Sequence, residues 1–155
     1  MIGMLLAAAL SVTDAPVALL RVDAEQSSFT VKVAEDRAGG YQIAIDCIEG
    51  CTEATHYREI TGDTPLGLFS EDRGDLIFSI WATGSVYRVR VWSVSKGAVR
   101  KVAELSSRGR PDFLTAADGE LLVQTYEADS GVAPPHRVGW KFEGGRFVRK
   151  GAQDN

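Results

Sequence analysis

Between Asp75 and Val94 the chain reads DLIFSIWATGSVYRVRVWSV, two β-rich runs that meet at Gly84-Ser85. A two-residue loop with Gly first fits a type II′ turn, whose first central residue takes a positive φ. Such a turn fixes the strand register. Thr83 then faces Val86, Ala82 faces Tyr87, Ile80 faces Val89 and Phe78 faces Val91. Because side chains alternate along a strand, Ala82, Ile80, Phe78 and their partners share one apolar face, the expected core. The other face pairs Trp81 with Arg88, Ser79 with Arg90 and Ile77 with Trp92. A Trp beside an Arg across strands allows cation–π stacking. This second face has two readings. It covers a half-buried sheet, or Trp81, Arg88, Arg90 and Trp92 form a ligand-binding surface.

The same alternation recurs along the chain. Ser27–Val33 and Tyr41–Ile45 read as a hairpin closed at Gly39-Gly40. Cys47–Thr55 reads as a loop and His56–Ile60 as a short strand. Thr61–Gly74 is rich in Gly, Asp and Pro; it reads as the longest connection and a boundary between two halves of the fold. Lys96-Gly97 turns the chain into a strand over Val99–Leu105. Phe113–Ala116 and Glu120–Tyr126 flank the Asp118-Gly119 turn signal. Asp129–Pro135 is a looser loop before Arg137–Phe142, and Gly144-Gly145 sets Phe142 opposite Phe147. No helix is expected beyond the N-terminal segment. The pattern predicts an all-β fold, an antiparallel meander of two to three propeller-blade-like sheets, with a β-sandwich as the alternative. Residues 19–150 form this single domain, between a signal-like segment at 1–18 and a polar tail at 151–155.

Residues Arg88–Lys101 resemble Arg137–Lys150, and both stretches end in Arg-Lys. A fainter third copy starts at Tyr41-Gln42-Ile43-Ala44-Ile45. The offset, about 49 residues, lies in the range of β-propeller blades. The Gly109-Arg110-Pro111-Asp112 break, followed by Asp118-Gly119, resembles the FG-GAP repeats of integrin-like β-propellers. The resemblance covers the C-terminal half and implies blade-like sheets. The calcium-binding run of Asp residues of those repeats is absent from this sequence, so the resemblance implies no metal ligands here.

Composition narrows the functional classes. A net charge of −4 argues against a general nucleic-acid binder, which is ordinarily basic, and against adsorption to anionic lipid. Ile2–Leu10 is an apolar run followed by small residues, resembling the h-region and cleavage region of a secretory signal. It is too short to cross a bilayer, which takes about 20 residues. The expectation is an exported protein, periplasmic or extracellular, with no membrane span after processing. The alternative is a first helix or strand of the domain. In an exported protein Cys47 and Cys51, separated by Ile48-Glu49-Gly50, read as a local disulfide; free thiols, or a metal or redox pair, are the other readings.

Catalytic signatures are missing from the sequence. There is no GxxxxGK[ST] phosphate loop and no GxSxG elbow. His56 and His136 read as surface residues, and Asp63, Asp72, Asp75, Asp112 and Asp118 as turn residues. Asp112 and Asp118 could pair at one sheet end. Arg100, Lys101, Arg108 and Arg110 read as a solvated face. No cofactor is expected. The leading functional expectation is a non-catalytic binding protein for an envelope protein or glycan. The alternatives are an inhibitor of a wall-lytic enzyme acting through the loops Thr61–Gly74 and Ala128–Pro135, a structural unit of a larger β-assembly, or a small hydrolase or thiol-redox protein.

Overall fold

The structure, a computed structural model, describes residues 16–52, 56–71, 75–128 and 135–150. The signal-like run Ile2–Leu10, most of the loop Asp129–Pro135 and the tail 151–155 lie outside the described residues.

Twelve strands form three four-stranded sheets among the described residues. The first sheet contains β1 (Ala18–Asp23), β2 (Ser28–Glu35), β3 (Tyr41–Glu49) and β4 (His56–Thr61). The second contains β5 (Thr64–Ser70), β6 (Leu76–Thr83), β7 (Val86–Ser93) and β8 (Arg100–Ser107). The third contains β9 (Asp112–Thr115), β10 (Leu121–Glu127), β11 (His136–Glu143) and β12 (Arg146–Lys150). Every sheet is a simple antiparallel meander, each strand bonded to its neighbour in sequence. The only helical turn among the described residues is a 3-10 turn at Ser95–Gly97. None of the helices there is long and apolar enough to cross a membrane.

The central hairpin forms with the expected register. Thr83 pairs with Val86, Ile80 with Val89, Phe78 with Val91, Trp81 with Arg88 and Ile77 with Trp92. Gly84 takes φ +55° at the turn. Phe142 faces Phe147 across the Gly144-Gly145 turn, again as expected.

Three boundaries differ from the sequence reading. Thr61–Gly74 is not one long connection, because Thr64–Ser70 is strand β5. Its Pro65 and Gly67 look like strand breakers, but β5 is an edge strand and its pairing with β6 shifts between these two residues. Edges and bulges are where sheets accept Pro. Strand β3 runs on to Glu49, through part of the expected Cys47–Thr55 loop. Strand β1, between the leader and the first expected strand, completes the first sheet along β2.

The three sheets stack, and the second lies in the middle. Val22, Phe29, Val31, Ile43 and Ile45 of the first sheet pack with Ile77, Trp81 and Trp92 of the second. On its opposite face the second sheet offers Leu76, Phe78, Val89 and Val91 to Val123, Phe113, Trp140 and Phe147 of the third. Phe69 stacks on Phe78 at 5.1 Å, and Phe113 meets both edge-on. The middle hairpin is thus apolar on both faces, which explains why Leu76–Trp81 is almost unbroken by polar residues.

Cys47 and Cys51 form a disulfide. The loop that it closes lies against the Ser95–Gly97 turn, where the Thr52 N–H donates to the Gly97 carbonyl. Gly50 (φ +66°) sits so close to the Gln26 carbonyl that a Cβ would collide with it. Only glycine meets both demands, a left-handed backbone and a bare close approach.

Candidate functional site

The Trp/Arg face lies inside the protein, which corrects the expectation of a ligand-presenting surface there. Trp81 and Trp92 are 0% exposed and Arg90 is 3% exposed. Arg88 alone of the four reaches solvent, its side chain 39% exposed. The cause is the first sheet, which covers this face of the second. The expected Trp–Arg stacking does occur, with a changed partner: Arg90 lies over the Trp81 ring at 5.0 Å.

Carboxylates from distant positions neutralise this buried guanidinium. Arg90 Nη2 donates to Asp63 Oδ2 at 2.6 Å. Its Nε lies 3.4 Å from Glu104 Oε1 and 3.6 Å from Glu59 Oε1. Lys101 Nζ joins the same group, 3.1 Å from Glu59 and 2.9 Å from Glu104. Burial pushes the Asp63 carboxyl up, but the Arg90 hydrogen bond and charge outweigh it and hold the group below the usual carboxylate range. Likewise, burial pulls Lys101 down, and its bonds to Glu104 and Glu59 raise it above the ordinary lysine value. Asp63 sits between β4 and β5, so the network pins the crossover from the first sheet to the middle of the second. It is a structural tie.

The other candidates are dispersed. Asp112 accepts a hydrogen bond from the Tyr126 hydroxyl, whereas Asp118 pairs with Lys141 at 2.7 Å. His56 Nδ1 lies 2.7 Å from Asp46 on the first sheet, and His136 Nε2 lies 3.9 Å from Glu127 on the third. Lys101 belongs to the interior network, while Arg100 reaches the Gly145 carbonyl. No group of three or more His, Cys, Asp or Glu among the described residues is placed to hold a metal.

A site of different composition lies on the outer face of the third sheet. Gln124 of β10 pairs with Gly139 of β11, and Lys150 of β12 pairs with Gly139 from the other side. Arg137 and Lys141, two residues away in either direction, share that face. Gly139 has no side chain, so a notch opens where four polar side chains converge. A Cβ at this position would stand 3.2 Å from Leu122 Cδ1. The resulting groove measures about 510 Å³. Its cations are Arg137, Lys141 and Lys150, and its carboxylates are Asp118 and Glu143. Lys150 pairs with Glu143 at 2.7 Å, as Lys141 does with Asp118. Arg137 has no ion-pair partner among the described residues. The groove therefore carries an excess positive charge on a chain whose net charge is −4.

The outer face of the first sheet provides a comparison. Its groove, about 380 Å³, is lined by Lys32, Arg37 and Arg58 against Glu35, Asp36 and Asp46, an even balance. Asp46 is already engaged with both His56 and Arg58.

The notch was missed in the sequence because Gly139 reads as a weak point in a strand. One signal was present: a Gly amid an alternating Val-Gly-Trp run marks a place of close approach. No protein-family model matches the chain, and it has no match among curated proteins or solved structures.

Proposed function

We propose that this chain is a non-catalytic binding domain of an exported protein, which offers the outer face of its third sheet to an envelope protein or glycan. The groove at Gly139 carries the reading. It is an open concavity with converging donors, set on a sheet whose opposite face is anchored in the core, and rigid elements hold such groups better than loops. The apolar N-terminal run supports export, and the Cys47–Cys51 disulfide is compatible with it. The charged outer faces weigh against further stacking into a larger β-assembly. The interfaces within the stack are built from Phe, Val, Ile and Trp, and a polar outer face is what ends a stack.

Photo-cross-linking in the native host tests this. Leu114 and Ile60 are exposed, on the outer faces of the third and first sheets respectively. A benzophenone side chain at Leu114 is expected to give a discrete adduct that falls at least five-fold with Arg137→Glu. The same probe at Ile60 is expected to give none. Equal labelling from both positions, or no adduct at Leu114, would overturn the proposal.

A further inference from the structure

We infer that the open end of the interface between the second and third sheets, where Phe142 meets Phe147, binds a quaternary ammonium group of the choline type. This cavity lies on the inner side of the third sheet, opposite the groove at Gly139, so the inference goes beyond the binding reading above.

The make-up of the cavity carries it. It measures about 160 Å³. The half-buried rings of Phe142 and Phe147 wall it together with Leu76 and Leu121, and the fully buried Phe78 closes its floor. The Phe142 and Phe147 rings lie 5.3 Å apart and are tilted by 52°. Phe78 meets Phe147 nearly at right angles, at 6.2 Å and 83°. Rings at such angles bound a space from several sides, whereas parallel rings would stack and close it.

The polar side chains at the rim are both carboxylates. Glu71 follows β5, and Glu120 precedes β10. No Lys or Arg lines the cavity among the described residues. Lys141, whose charge is felt by Glu120, is bonded to Asp118 at 2.7 Å and is outside the lining.

Each other ligand class fails on one of these features. An anion would meet two carboxylates and no cation. A sugar or a primary amine brings O–H or N–H groups that rings and leucines cannot pair, at about 1–3 kcal/mol for each group left unsatisfied. A hard metal ion takes about six or more oxygen ligands, and the lining side chains offer two carboxylates. A neutral apolar group would gain nothing from those carboxylates. A quaternary ammonium holds its charge inside an apolar shell and needs no hydrogen bond. Aromatic rings attract it within about 6 Å of their centroids, a distance that a cavity of this size imposes. At about 30 Å³ for each water-sized atom, the space holds about five non-hydrogen atoms, enough for a nitrogen and its four carbons. The rest of the ligand leaves past Glu71 and Glu120, which disfavours an attached phosphate.

The test is an amide chemical-shift titration of the isotope-labelled full chain at constant ionic strength. The probes are choline, its neutral analogue with carbon in place of nitrogen (dimethylbutanol), ethanolamine and phosphocholine. Choline is expected to give saturable shifts at Leu76, Glu120, Leu121, Phe142 and Phe147, and none on the first sheet. The neutral analogue and ethanolamine should bind at least ten-fold more weakly, and phosphocholine more weakly than choline. Phe142→Leu keeps an apolar wall and removes the ring. It should weaken choline at least five-fold and leave the neutral analogue unchanged. Glu120→Gln, at an exposed turn residue, should weaken choline at least three-fold and keeps the test valid if Phe142→Leu fails to fold.

Equal binding of choline and its neutral analogue would overturn the ammonium assignment. Ethanolamine binding as tightly as choline would overturn the aromatic cage in favour of a general amine site at the carboxylates. Phosphocholine binding more tightly than choline would overturn the choice of an anion-free ligand and assign a phosphocholine headgroup. No saturable shifts at these amides would overturn the site. The Leu114 adduct is read on the other face of the third sheet, so failure of the titration leaves the binding reading standing.

Discussion

Trp92→Ala is expected to lower the stability of this protein by about 3–5 kcal/mol, the usual cost of removing a buried Trp ring. The ring is fully buried. It meets Tyr57 of the first sheet edge-on, with centroids 5.8 Å apart, and packs among Ile77, Val94 and residues of the first sheet. Truncation leaves a cavity at the junction of two sheets, where neither can close in without pulling away from its own neighbours. Urea unfolding with the disulfide intact gives the number from the shift in midpoint at constant slope. A loss below about 1 kcal/mol would mean that the ring faces solvent, as a surface residue's substitution ordinarily costs within 0.5 kcal/mol.

Arg90→Ala is expected to cost about 3–5 kcal/mol as well, by a different route. Removing the guanidinium leaves Asp63, itself largely buried, without its 2.6 Å partner. An orphaned buried charge is far more costly than the intact pair is favourable. The double variant Arg90→Ala/Asp63→Ala should therefore lose less than the two single variants added together, with a coupling of about 1 kcal/mol or more in a double-mutant cycle. Additive losses would contradict the network.

The same pair sets a pH dependence. The Asp63 carboxyl is held below its ordinary value in the folded protein, so the folded state binds fewer protons there than the unfolded chain does. Its contribution is complete above the unfolded value, near pH 4, and is lost as the pH falls through the lower folded value. Stability measured from pH 6 downward should thus decline less steeply in Asp63→Asn than in the native chain.

Much of the fold is legible in the sequence, and the reasons are local. Gly84-Ser85, Asp118-Gly119 and Gly144-Gly145 mark turns, and between them side chains alternate strictly enough to fix register. Strand β5 is hidden because Pro65 and Gly67 resemble loop residues. They are tolerated only because β5 lies at a sheet edge, a fact of topology. The burial of the Trp/Arg face is hidden for a similar reason. Arg88 and Arg90, alternating with Val, look like the solvated side of a strand. The groups that neutralise Arg90 are Glu59 on β4, Asp63 beyond it and Glu104 on β8, and no local pattern links them. One sign of the middle position was present, the run Leu76–Trp81, whose single polar residue is Ser79. Its hydroxyl donates to the Arg90 carbonyl and accepts from the Trp81 indole, so even this residue is satisfied inside. Gly139 amid alternating residues is a local sign of close approach, but which side of β11 faces outward follows from the stacking.

The second sheet is enclosed on both faces, so ligands are left with the outer sheets and the open ends of the stack. Native-state hydrogen exchange measures this directly. The hydrogen-bonded amides of Ile77–Trp81 and Val89–Trp92 should exchange only through global unfolding, with an opening free energy equal to that from urea, while those of the short edge strand β9 open far more readily. Exchange of the β6 and β7 amides as fast as those of β9 would contradict it.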